Sequence, residues 1–204
     1  MMSSDAGTRT RLVRTDEDDN AFKSDLVKLI PHMRAFARSL CGDATIADDL
    51  AQDAMVKAWG ARASFQPGTN MKAWSFMILR NQFYSDKRRS WRETQLDQEA
   101  AERTLVAVDD PESPLALDEM RMALAMLPAE QREALILVGA GGFAYDEVAA
   151  ICGCAVGTAK SRVSRARRAL HEILLSGAYD RDGRPASDAM RAILSEAERL
   201  KLAL

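Results

Sequence analysis

The densest chemistry in the chain lies in Tyr145-Asp-Glu-Val-Ala-Ala-Ile-Cys-Gly-Cys-Ala-Val-Gly-Thr-Ala-Lys-Ser-Arg-Val-Ser-Arg-Ala-Arg-Arg-Ala-Leu170. A short helix, a glycine turn and a basic helix follow one another here, the layout of a helix-turn-helix. Gly153 suits the left-handed backbone between the helices. Val148, Ala149 and Ile151 can pack inward from the first helix, and Val156, Val163, Ala166 and Leu170 form the second helix's buried stripe. The opposite face holds Thr158, Lys160, Ser161, Ser164, Arg165 and Arg168. Such a helix fits the major groove of a duplex, where Lys160, Ser161, Ser164 and Arg165 would read base edges, Thr158, Arg162 and Arg167 would grip phosphates, and Arg168 would join them on the DNA-binding face. A solvated basic helix is the plainer alternative, because charged faces often serve solubility alone. The coincidence of turn glycine, apolar stripe and unopposed charge favours DNA binding.

Charge distribution agrees with a local nucleic-acid surface although the total does not. Lys and Arg number 28 against 30 Asp and Glu, a net charge of -2. Lys160 to Arg168 nevertheless carries only cations, while acidic residues concentrate between Glu93 and Glu119. Three cysteines, Cys41, Cys152 and Cys154, and two histidines, His32 and His171, have no metal-ligand spacing. The thiols read as small apolar core groups. No nucleophile-base pattern or phosphate loop is present, so the chain is not expected to be an enzyme or to need a catalytic residue, metal or cofactor. No apolar run approaches the ~20 residues that span a bilayer, and the polar N-terminus lacks a signal-like stretch, so a soluble, cytoplasmic protein is expected.

The elements that must position this chemistry are helical. In 204 residues, 47% are hydrophobic and 6% aromatic, with Ala, Leu, Met, Glu, Arg and Lys abundant. The pattern predicts an all-α fold of two small helical domains joined by a flexible acidic linker. A flexible arm is expected over residues 1–20, a first domain over 21–91, a linker over 92–114, a second domain over 115–175 and a tail over 176–204. The first domain opens with an apolar-periodic stretch from Ala21 to Leu40, kinked at Pro31. Gly42 stops it, and Asp43 or Thr45 starts a helix over 46–60 with Ile46, Leu50, Ala54 and Ala58 on its buried stripe. Phe65 to Asn70 is a Pro-Gly loop, and a long helix follows over 71–89. Trp59, Trp74 and Phe76 are expected in the core, whereas Phe83, Tyr84 and Trp91 fit either core or surface stacking. In the second domain, helices are expected over 115–127, 130–138, 145–151 and 156–175. A last amphipathic helix is expected over Ala186 to Leu202, with Met190, Ile193, Leu194, Ala197 and Leu200 on its stripe.

From about Phe22 to Leu175 the sequence resembles the extracytoplasmic-function (ECF) sigma factors of the sigma-70 family. Two separated motifs carry the likeness. Ala47-Asp-Asp-Leu-Ala-Gln-Asp-Ala-Met-Val-Lys-Ala-Trp59, with Phe65 and Lys72-Ala-Trp-Ser-Phe-Met-Ile-Leu-Arg-Asn81, resembles region 2 of that family. Leu127-Pro-Ala-Glu-Gln-Arg-Glu-Ala-Leu135, with the helix-turn-helix, resembles region 4. Leu135-Ile-Leu-Val-Gly-Ala-Gly-Gly-Phe143 and Cys152-Gly-Cys-Ala-Val-Gly157 are similar to the alphaproteobacterial, EcfG-type branch that governs the general stress response.

The resemblance implies an RNA polymerase sigma factor that reads the minus-35 duplex and opens the minus-10 element of stress-response promoters. It implies that Asp48, Asp49, Gln52, Asp53, Val56 and Lys57 dock on the coiled coil of the largest subunit of the polymerase core, with the second domain at the flap of the second subunit. Phe65, Gln66, Asn70, Lys72, Arg80, Asn81, Tyr84, Lys87, Arg88 and Arg89 would then meet the minus-10 DNA, holding a flipped base and stacking on the single strand, where each base is worth ~1–3 kcal/mol. The acidic linker would act as a tether, and its charge fits either nucleic-acid mimicry or plain solvation. The two domains should fold against each other in an inhibited state, with an anti-sigma factor of the NepR type as the inhibitor and no membrane partner. Ala144 departs from the Ser or Thr helix cap of many relatives, a loss of ~1 kcal/mol unless another group compensates. Two rivals are a sigma-like mimic that sequesters an anti-sigma factor, which would need a phosphoreceiver domain for which the chain has no room, and a plain helix-turn-helix transcriptional regulator.

Overall fold

A computed structural model describes residues 15–94 and 115–178. The arm before Thr15, most of the linker, the tail helix and the side chain of Trp91 lie outside the described residues. Eight α-helices run in order among the described residues, with one 3-10 turn at Arg62–Ser64.

The first four helices are α1 (Asp16–Lys28), α2 (Ile30–Cys41), α3 (Ala44–Gly60) and α4 (Met71–Thr94). Helix α1 begins inside the stretch expected to be a flexible arm, because Thr15 and Asp18 form a capping box: Asp18 N–H donates to Thr15 Oγ1 at 3.2 Å and Thr15 N–H to the Asp18 carboxylate at 3.0 Å. Four acidic residues in its first turn suit the positive end of the helix dipole. Pro31 separates two helices rather than kinking one. It sits in the first turn of α2, where a missing N–H costs nothing. Gly42 ends α2 at φ 74, and Asp43, not Thr45, caps α3 by accepting from Ile46 N–H at 2.9 Å. The loop before α4 is a turn in which Gln66 O accepts from Thr69 N–H, with Gly68 at φ 85. Asn70 then caps α4, its Oδ1 accepting from Ala73 N–H at 3.1 Å.

The second set is α5 (Leu115–Ala125), α6 (Ala129–Gly139), α7 (Tyr145–Cys152) and α8 (Val156–Ser176). Ala144 offers no side-chain cap to α7, but the Glu147 carboxylate accepts from Ala144 N–H at 2.9 Å and supplies the reciprocal half of a capping box. Gly153 turns the chain into α8 at φ 63, and Cys154 N–H closes on Ala149 O at 3.0 Å.

Packing joins the two sets. Helix α2 lies on α3, α3 on α4, and α6 and α7 on α8, while α4 also meets α7 and α2 meets α6. One apolar cluster therefore runs from Met33, Phe36, Leu50, Phe76 and Leu79 through Phe143 to Leu137, Val148, Ile151 and Val163. Phe76 is its hinge point, stacked on Phe36 at 4.7 Å and edge-on to Phe143 at 5.1 Å. A satellite of Ala123 and Leu174 binds α5 to α8. A second satellite holds α1 through Phe22, Leu26 and Ala58.

Several apolar positions differ from expectation. Ile46 is 59% exposed because the buried face of α3 runs through Ala47, Leu50, Ala51, Ala54 and Ala58, one position round the helix. Val156, the first residue of α8, is likewise exposed, and Ala159 is the first buried residue of that helix. Phe76 is buried as expected, but Trp59 is exposed at the rim of the Phe22 satellite and Trp74 is only half-buried there.

Burial sets the thiol chemistry. It pushes the Cys152 thiol up to about 12, helped by the nearby Glu133 carboxylate, and the Cys41 thiol up to about 11 with help from Asp43. A thiol raised by two units holds about a hundredfold less thiolate at pH 8. Alkylation of Cys41 and Cys152 at pH 8, followed by mass spectrometry, is expected to be at least about a hundredfold slower in the folded chain than in urea, and equal rates would remove this account. In chemical denaturation, Leu79→Ala should cost about 2–5 kcal/mol because the side chain is fully buried. Gly153→Ala should cost about 1–2 kcal/mol through backbone strain alone, since a Cβ there meets nothing within 4 Å.

Candidate nucleic-acid interface

Helix α8 presents its cations to solvent. Lys160, Ser161, Ser164, Arg165, Arg167 and Arg168 are exposed, and Thr158 is half-buried at the start of the helix. The stripe Ala159, Val163 and Ala166 is buried and turns the opposite side outward. Arg165 is braced along its own helix, donating from Nε to Ser161 O and from a terminal nitrogen to Ser161 Oγ, both at 3.2 Å. Arg162 is different: its guanidinium pairs with Glu130 of α6, so it fastens α8 to α6 as well as adding charge.

A cleft of about 410 Å3 lies beside this face, lined by Lys160, Ser164, Arg167 and Arg168 together with Tyr145, His171 and Glu172. Lys160 Nζ stands 5.9 Å from the centre of the Tyr145 ring, a cation–π contact. Tyr145, His171 and Glu172 were not among the expected site residues. Helical spacing could have found His171, which follows Arg167 by four positions and Arg168 by three. Nothing in the sequence pairs Tyr145 with Lys160, because the turn at Gly153 brings them together.

The residues expected at melted DNA fall into three groups. Asn81, Lys87, Arg88 and Arg89 are exposed on α4, and Gln66 is exposed in the turn before it. Phe65 belongs to packing: its ring lies 5.6 Å from Phe22 and 5.3 Å from Trp74. The third group reaches across to the second set of helices. Asn70 Nδ2 donates to Glu147 Oε1 at 2.6 Å, and Lys72 Nζ donates to Gly141 O at 2.8 Å while standing 5.1 Å from the Phe143 ring. Arg80 Nε donates to Glu133 Oε1 at 2.7 Å, and Tyr84 OH reaches the other oxygen of Glu133 at 3.4 Å.

The Arg80–Glu133 pair is deeply enclosed, with 15% of the Arg80 side chain and 0% of the Glu133 side chain exposed. Burial opposes the guanidinium's charge, but the hydrogen bond and field of Glu133 outweigh it and hold Arg80 above its ordinary value. Burial, with Glu133 beside it, also pushes Tyr84 up to about 12, so its hydroxyl keeps its proton. Gly141, whose carbonyl accepts from Lys72, has no room for a side chain, since a Cβ would fall 2.4 Å from Leu137 O and 2.8 Å from the Phe143 ring.

On α3, Asp49, Gln52, Asp53, Val56 and Lys57 are exposed. Val56, at 71% exposure, shares this face with the unexpected Ile46, so two apolar groups stand among the carboxylates. Asp48 turns the other way and binds Arg34 and Arg38 of α2. The Arg34 hydrogen bond holds its carboxyl below the usual range. Asp48 thus ties α2 to α3. Lys57 Nζ is bonded to Gln82 of α4. No group of three or more metal-ligating side chains and no helix long and apolar enough to cross a membrane occur among the described residues.

Two family models match the chain, one over each helical set. Residues 26–93 match the family described as Sigma-70 region 2, and residues 117–170 match Sigma-70, region 4. The ECF RNA polymerase sigma factor EcfG of Rhodopseudomonas palustris is 49% identical over 79% of this chain and 90% of its own. The sigma factor RpoE of Bartonella quintana, solved in complex with the anti-sigma factor NepR, has 48% identity and a TM-score of 0.70, covering 76% of this chain and 97% of that one. CnrH, solved with the cytosolic domain of CnrY, has 27% identity and a TM-score of 0.57 over 76% of this chain and 88% of that one.

Proposed function

This chain belongs to the sigma-70 family as an ECF RNA polymerase sigma factor, and from that premise we propose how its surfaces divide the work of initiation at stress-response promoters. It binds core polymerase and promoter DNA, and it is not an enzyme. The observation that carries the division is the pairing, in one chain, of an exposed cationic face on α8 with an exposed acidic face on α3.

Asp49, Gln52, Asp53, Val56 and Lys57 dock on the coiled coil of the polymerase's largest subunit. Ile46 and Val56 supply the apolar contact that carboxylates alone would lack. Asp48 supports the docking helix through Arg34 and Arg38 rather than by direct contact. The second helical set, residues 115–175, engages the flap of the second subunit and lays α8 in the major groove of the minus-35 duplex. There Lys160, Ser161, Ser164 and Arg165 read base edges, and Thr158, Arg167 and Arg168 hold phosphates. The Ser161 bonds that orient Arg165 reduce the rotamer freedom lost on reading a base.

The strand-capture surface lies on the first set, residues 21–91, around the turn at Gln66 and along α4. Asn81, Lys87, Arg88 and Arg89 are accessible to DNA as the chain stands, Asn70 is exposed but its amide nitrogen is engaged by Glu147, and the half-buried Lys72, Arg80 and Tyr84 become accessible when the two sets part. Residues 92–114 tether the sets. An anti-sigma factor of the NepR type is the proposed inhibitor, supported by the likeness to a sigma factor solved with NepR. The cytoplasm, where polymerase and promoter DNA meet, is the proposed location.

Run-off transcription with purified core polymerase tests the assignment. Arg165→Ala is expected to weaken duplex engagement by about 1–3 kcal/mol, roughly 5- to 150-fold, and Asn81→Ala to leave duplex binding intact but slow promoter opening. Arg168→Ala should lower the slope of log affinity against log salt by roughly one. Unchanged transcription by Arg165→Ala and Asn81→Ala would remove the site assignments.

A further inference from the structure

Four side chains of α4 and its cap, Asn70, Lys72, Arg80 and Tyr84, reach the second helical set through polar contacts. Lys72, Phe76, Arg80 and Tyr84 recur every four residues and so form one ridge along the helix. Phe76 meets Phe143 in the middle of that ridge. The groups that receive the polar side chains are two carboxylates, Glu133 and Glu147, and one carbonyl, Gly141 O. Anionic oxygens flanking a carbonyl beside an aromatic face are also what a single DNA strand offers, through its phosphates, base carbonyls and ring faces.

We propose that Glu133, assisted by Glu147, acts as an internal stand-in for single-stranded promoter DNA, so that the second helical set and the melted strand compete for one surface of α4. The inference rests on the strand-capture reading above and adds the coupling. Closure satisfies Arg80 and Tyr84 with Glu133, and strand binding must displace it. By reciprocity, a strand that favours the parted form draws the helical sets apart by the same factor that closure weakens strand binding. The strand is therefore itself an opening ligand, with no polymerase needed. Apolar packing through Phe76, Phe143 and the residues around them contributes to closure, but only the polar contacts involve the groups a strand would use.

The test uses the full chain and two variants, Glu133→Gln and Glu147→Gln, which keep side-chain size and remove charge. The probe is a fluorescent single-stranded oligonucleotide from the non-template strand of a promoter the chain transcribes. Its affinity is read by anisotropy, and separation of the sets by the radius of gyration in small-angle scattering, with circular dichroism checking helix content. Glu133→Gln is expected to bind the strand about fivefold or more tighter than the parent and to show a larger radius of gyration. Glu147→Gln, at the half-exposed edge of the contact, should move both in the same direction by less, and it carries the test if Glu133→Gln loses helix content. The oligonucleotide should also expand the parent chain. Equal radius and affinity in all three chains would overturn the proposal, as would an expanded Glu133→Gln with the parent's strand affinity. If no chain binds the strand, even with core polymerase, strand capture itself fails and the coupling fails with it. That failure is recognisable, because Glu133→Gln would still be expanded.

Discussion

A carboxylate with none of its side chain in water is costly unless its charge is paired and hydrogen-bonded, and Glu133 finds its cation on a different helical set. Its partner Arg80 lies 53 positions earlier in the chain, and neither residue is comfortable where it sits without the other. The pair lies on the same ridge of α4 as the apolar contact between the sets: Phe76 meets Phe143, and the cationic face of α8 points away from the interior. Two segments that match separate family regions share a continuous apolar cluster among the described residues, and the ion pair is its polar complement.

The helix-turn-helix was legible in the sequence because its signals are local. Gly153, the α8 stripe and the run of cations each constrain backbone or burial within a few residues, and the structure keeps the turn glycine, the exposed cations and the Val163 and Ala166 part of the stripe, while Ala159 takes the buried place expected of the exposed Val156 and Leu170 is half-buried. The acidic face of α3 was legible for the same reason, although Ile46 was placed on the wrong side of it. A single isoleucine at a helix start is consistent with either face, and only the packing of Ala47 and Ala51 decides. The early start of α1 was readable in principle from Thr15 and Asp18, whose spacing is that of a capping box with the shorter acid.

What was not legible is the identity of partners far apart in sequence. Asn70 with Glu147, Lys72 with Gly141 O, Arg80 with Glu133 and Arg162 with Glu130 are long-range choices that periodicity does not encode. The resemblance led to an expectation that the sets fold together, but it did not say which side chains would meet. As a result, Asp48 and Arg162, read as outward-facing contacts, are structural ties, and Phe65, read as part of a base-holding loop, is held in an aromatic cluster with Phe22 and Trp74. In each case a residue type suited to recognition is equally suited to internal packing, and tertiary context chose.

The amide of Asn70 has two ends with separate duties. Its oxygen is committed to the first turn of α4, while its nitrogen faces Glu147. Because the oxygen holds the amide plane in place, the nitrogen can exchange a carboxylate for another acceptor without unwinding the helix or searching for a new rotamer. The donor is thus aimed before any ligand arrives, and changing hands there requires the departure of one neighbour rather than rearrangement of the residue itself.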